Sequence, residues 1–65
     1  MCLSTVYKKN NTENILLCNN IAKMENLDDA IVFTDLLGRK TVINGVIISM
    51  DFMENTIMVR EEINQ

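Results

Sequence analysis

Residues 13–24 read ENILLCNNIAKM, from Glu13 to Met24, and whether they form a helix or a bent strand decides the fold class. Ile15, Cys18 and Ala22 lie at helical spacing, which would give one apolar helix face. Against that, Asn19 and Asn20 stand mid-segment, where asparagine is a poor helix former, and no capping pattern closes the end. The balance favours a strand that bends.

The rest of the chain supports this reading, because its apolar runs are short and separated by polar or glycine-containing turns. Upstream, residues 2–7 (CLSTVY) alternate and are rich in β-formers, so they read as a first strand, with Asn10-Asn11-Thr12 as the turn. Downstream, Asp28-Asp29 turns into a strand at 30–34 (AIVFT). Leu36-Leu37-Gly38-Arg39 follows as a turn in which Gly38 is free to take a positive φ. Residues 40–43 (KTVI) then meet Asn44-Gly45 and continue as 46–50 (VIISM). An Asn-Gly between apolar runs is the strongest short hairpin signal in a sequence; its rival is a sharp bend carrying the strand from one sheet to another. Glu54-Asn55 makes the last turn, and 56–60 (TIMVR) close the fold.

Five or six short strands in 65 residues predict an all-β fold, a small antiparallel barrel of the SH3-like or Sm-like kind, as a single domain over residues 1–65. Closure would hide the sheet edges. The expected core is Val6, Leu17, Ile21, Ile31, Phe33, Val42, Ile47, Phe52, Ile57 and Val59.

A chain of this size buries only about 60% of its unfolded surface, so it gains from a staple or a partner. Two cysteines make one bridge at most, and the opening MCLSTVYKKNN lacks the basic start and apolar run of an export signal. The expectation is a cytoplasmic protein with free thiols that gains burial as a homodimer. Six basic residues against nine acidic ones give a net charge of −3, a poor balance for binding nucleic acid. No apolar run reaches the roughly 18 residues of a membrane span.

With no histidine, no serine triad can be assembled and a cysteine nucleophile lacks its usual base. The carboxylates fall mostly in turns and the tail, where they read as solvated surface. No catalysis is expected. Met24, Met50, Met53 and Met58 offer thioethers, but gap-filling in a thin core is the commoner use. Tyr7, Phe33 and Phe52 offer stacking faces and read more simply as core. Cys18, among apolar neighbours, reads as a small hydrophobe.

Cys2 differs. Removal of Met1 ahead of a small residue would leave a thiol and a free α-amine on one residue, and together they close a five-membered chelate ring on a metal ion. The thiolate is the ligand form. A two-fold axis beside it would supply two more donors, giving an N2S2 plane that suits Ni(II) or Cu(II). Position two also reads as an ordinary strand start, and the residue alone does not separate the two.

The chain resembles a known family over essentially residues 1–62. The opening MCLS, the strand ILLCNNIAKM, the turn and strand ENLDDAIVF, the segment LLGRKTVI and the ending IISMDFMENTIMVREE are similar to the CooT-type small nickel-binding proteins, also labelled in places as predicted RNA-binding proteins. The resemblance implies a homodimeric β-barrel that binds Ni(II) near the subunit contact through Cys2. It further implies nickel delivery to a client such as carbon monoxide dehydrogenase during maturation. An RNA-binding barrel or a non-catalytic interaction module is the alternative.

Overall fold

The computed structural model describes residues 3–62. Six strands follow one another without a helix: β1 (Ser4–Asn10), β2 (Glu13–Asn26), β3 (Ile31–Asp35), β4 (Lys40–Ile43), β5 (Gly45–Asp51) and β6 (Thr56–Glu61). They form one curled sheet, a half-barrel, in the order β4-β3-β2-β1-β6-β5. The start of the predicted first strand at Cys2 lies outside the described residues.

The disputed stretch is strand throughout, and it bends. β2 pairs with β1 through its first half and with β3 through its second. Between Ser4 and Val6 on β1, which face Ile21 and Cys18, β2 takes three steps against two. Further slips follow between Val6 and Tyr7, and against β3 between Ile21 and Lys23. An extra residue in one strand kinks it and sharpens its twist. Asn20, at φ 55°, sits in this kink and its carbonyl accepts the Leu36 N–H at 2.9 Å. Asparagine is among the few side chains that enter the left-handed region readily, which suits Asn20 to this bend.

Asn44-Gly45 makes a corner rather than a hairpin. β4 pairs with β3 and β5 pairs with β6, so these two residues carry the chain from one end of the sheet order to the other. Gly45 opens β5 opposite Glu61 and packs so closely that a Cβ there would overlap the Arg60 carbonyl oxygen. The Asn44 carbonyl accepts the Glu62 N–H at 2.8 Å. Two features depart from an antiparallel barrel with paired edges. β1 and β6 run parallel, and β4 and β5 stand as the two ends of the order rather than as neighbours.

The inward faces meet in a core of Val6, Ile21, Ile31, Phe33, Ile43, Ile57 and Val59, with Leu17, Cys18, Met24 and Ile47 packed against it. Val6, Ile31, Phe33 and Val59 are fully enclosed, and each such side chain contributes about 1.5–3 kcal/mol. Two expected core residues are outside it. Val42 is exposed because Ile31 faces Ile43 and Phe33 faces Thr41, which turns the Val32–Val42 pair outward. The alternation that buries Ile43 necessarily exposes its neighbour. Phe52 lies past the end of β5, in the turn to β6, and is 81% exposed.

Candidate metal centre

The residue that carries the metal expectation, Cys2, lies outside the described residues. Ser4, two positions along, begins β1 opposite Ile21. It lines a cavity of about 220 Å3 together with Ile21, Ala22, Lys23, Met24, Met50, Phe52 and Ile57. The cavity therefore lies between the second half of β2, the end of β5 and the start of β6, where β1 enters the sheet.

Cys18 is poorly suited to hold a metal. It is half-buried and faces inward beside Val6. Burial pushes its thiol pKa up; the Thr41 hydroxyl pulls it down, and the Asp35 carboxylate raises it again. A thiol kept protonated is neither a good nucleophile nor a good ligand. Among the described residues, no group of three or more Cys, Asp or Glu side chains converges as a metal site would require.

The carboxylates with identifiable partners hold the fold. Asp35 closes the β3–β4 turn: its Oδ1 accepts the Leu37 and Arg39 N–H groups at 2.9 Å each, and its Oδ2 accepts Arg39 Nε at 2.7 Å. Desolvation alone would raise the Asp35 pKa, but the Arg39 guanidinium and the Arg39 and Leu37 amides outweigh it and hold the carboxyl below its usual range. Gly38, at φ 85°, completes this turn. Asp51 Oδ1 accepts Met53 and Glu54 N–H at 3.0 Å and shapes the β5–β6 turn, where Asn55 takes φ 56°. Glu61 accepts Lys8 Nζ at 2.8 Å.

These pairings also bear on nucleic acid. Of the two basic dipeptides, Lys8-Lys9 gives up Lys8 to Glu61, and Arg39-Lys40 gives up Arg39 to Asp35. Phe33 is enclosed, Tyr7 is half-buried, and only Phe52 is freely exposed, so the three aromatics form no common stacking platform. Of the methionines, Met24 packs on the core, Met24 and Met50 line the cavity, and Met53 is 93% exposed.

Sequence reasoning did not find the cavity. Its wall draws on four separated segments, and the one letter that could have flagged it, Phe52, reads as core in any strand pattern. Among the described residues no helix is long and apolar enough to cross a membrane.

The fold and this arrangement define a small all-β protein, a curled half-barrel with a largely apolar opening where its first strand begins, and no catalytic constellation among the described residues. The family model described as CO dehydrogenase accessory protein CooT matches residues 1–60, and the chain belongs to the CooT family. A crystal structure assigned to CooT from Carboxydothermus hydrogenoformans superposes with a TM-score of 0.87, covering 95% of this chain and 100% of that one at 16% identity. At that identity the likeness speaks for the fold. No curated protein sequence matches the chain.

Proposed function

We infer that this protein is a non-catalytic nickel carrier in carbon monoxide dehydrogenase maturation, with Ni(II) as its cargo, bound through Cys2 at a homodimer contact in the cytoplasm. The observation that carries the reading is the family match, which begins at residue 1 and so includes Cys2, in a family described as an accessory to CO dehydrogenase. The chemistry of the available donors supports it. Cys18 is disfavoured as a thiolate, and Asp35, Asp51 and Glu61 are committed to turns and an ion pair. Cys2 offers a thiol and, once Met1 is removed, an amine on the same residue. A soft thiolate with a nitrogen donor fits Ni(II) better than it fits a hard, oxygen-seeking cation.

Titration of the natively processed protein with Ni(II) tests this. Thiolate-to-nickel charge-transfer absorption should saturate at one ion per two chains. It should vanish in Cys2→Ser and persist in Cys18→Ser. An unchanged signal in Cys2→Ser would end the assignment.

A further inference from the structure

We propose that Asn44 is a site of spontaneous covalent modification, at which the folded chain converts to isoaspartate and the corner between β4 and β5 loosens. The Asn-Gly pair takes no part in the nickel reading above.

The chemistry exchanges one acyl bond for another. The Gly45 backbone nitrogen bonds to Cγ of the Asn44 side chain, and the side-chain amide leaves as ammonia, carrying the proton that nitrogen gives up. Water then adds to either carbonyl of the five-membered imide. Opening at one gives aspartate. Opening at the other gives isoaspartate, in which the main chain runs through the former side chain. Nothing is oxidised or reduced, and water is the only co-reactant.

Three observations place the reaction here. Asparagine is thermolabile in general, but the attacking nitrogen belongs to the following residue, whose side chain screens it. Only Asn44 precedes glycine; the other asparagines precede Asn, Thr, Ile, Leu or Gln. The fold itself demands that glycine, because a Cβ at position 45 would overlap the Arg60 carbonyl oxygen. An unscreened nitrogen is thus built into the corner.

Next, both reacting groups face outward. The Asn44 side chain is exposed. Glu62 N–H reaches the Asn44 carbonyl one residue beyond the Gly45–Glu61 pair on each strand, which marks that pair as a non-hydrogen-bonded one. The Gly45 N–H therefore points away from β6, and β5 is an end of the sheet order.

The third observation concerns what holds the reaction back. The Asn44 carbonyl carbon becomes a member of the imide ring, and its oxygen is held by Glu62 N–H at 2.8 Å. That bond lies past the last residue pair of the β5–β6 ladder. Ladder ends fray far more readily than a whole domain opens. Ring closure needs this local opening and no unfolding. The product then strains the corner. Isoaspartate adds one methylene, about 1.5 Å, to the main chain, directly before a residue seated against the Arg60 backbone.

Incubation of the full-length chain at mildly alkaline pH, folded and in urea, tests the site. Ammonia release and peptide mapping report conversion at each asparagine. Folded protein should convert at Asn44 about 5–30-fold more slowly than the denatured chain, the factor set by a local opening. No conversion at Asn44 in folded protein while the denatured chain converts there would overturn the proposal, as would earlier conversion at another asparagine. Asn44→Gln, which can close only a less favoured six-membered ring, should melt as wild type does and release no ammonia from this position. The purified isoaspartyl protein should melt at a lower temperature than Asn44→Asp, which carries the same charge without the added methylene. Equal melting temperatures would overturn the loosening of the corner.

Discussion

Replacing Gly45 by alanine tests the corner on which the architecture turns. The added Cβ would overlap the Arg60 carbonyl oxygen, and it would stand 2.9 Å from Glu61 Cα and 3.0 Å from the Arg60 carbonyl carbon. All three are backbone atoms of β6, so no side-chain rotation relieves the clash. Either the corner or β6 must move, and β6 carries the enclosed Val59 opposite Ile47. Overpacking of this kind costs about 1–3 kcal/mol, and the rigid neighbour places it at the upper end. Loss of glycine's freedom in the unfolded chain returns about 0.4–1 kcal/mol. The net is about 2 kcal/mol, a large share of the roughly 3–5 kcal/mol that one small core supplies. Urea melts followed by far-ultraviolet circular dichroism should show a lower midpoint at unchanged slope, and the melting temperature should fall by about 10–15 °C. Gly38→Ala is the control. It meets open space and suffers only from its φ of 85°, for about 1–2 kcal/mol before the same return. A Gly45→Ala protein as stable as wild type, or more stable than Gly38→Ala, would show that the strand does not cross over at this corner.

Phe33 is fully enclosed, and Phe33→Ala should cost about 3–5 kcal/mol, enough to leave the chain largely unfolded at room temperature; well-dispersed amide resonances in that variant would contradict the core described. Asp35 has a depressed pKa in the folded state, so its contribution is present well above the unfolded value of about 3.9 and disappears as pH falls through the lower folded value. Asp35→Asn should therefore be less stable than wild type at neutral pH and lose less on acidification below about pH 4; parallel acid limbs would remove Asp35 from that account. Cys18, with its pKa raised, should react with a thiol reagent at pH 7 roughly tenfold or more slowly in folded Cys2→Ser protein than in the same protein denatured. Equal rates would mean that the thiol is not covered.

The letters disclosed the strands because each local signal agreed with its neighbours. Asn11, Asn20 and Asn55 all take positive φ, and all three lie where asparagine reads as a turn or a break. What stayed hidden depended on pairing between distant segments. The phase of β4 is set by Ile31 against Ile43, not by the letters KTVI, in which Val42 and Ile43 are equally good inward candidates. The parallel run of β1 beside β6 brings the first and last strands together, and no short-range pattern encodes that. Asn-Gly serves a hairpin and a corner equally well until the Arg60 carbonyl is seen against Gly45. The family resemblance fell on residues scattered over the whole length and so survived these local ambiguities. The cavity did not, because its wall exists only once β2 has bent.

The division of labour within the chain follows from its size. Seven buried side chains among the described residues are few for a free-standing domain, and the other inward positions, Leu17, Cys18, Met24 and Ile47, only complete their packing. A metal site built into that interior would replace apolar contacts with donors that must be ionised, at a desolvation cost a thin core does not offset. The carrier role proposed above, with its ligand at Cys2 ahead of the first strand, would avoid that conflict. Such ligands are few, and a single cysteine contributes two donors at most. The exposed apolar turn at Phe52 and Met53 is the largest apolar projection left uncovered among the described residues. Under the proposed carrier role, stability and nickel binding are separable by mutation: Cys2→Ser should abolish nickel binding and leave the thermal melt unchanged, and a lowered melting temperature in that variant would refute the separation.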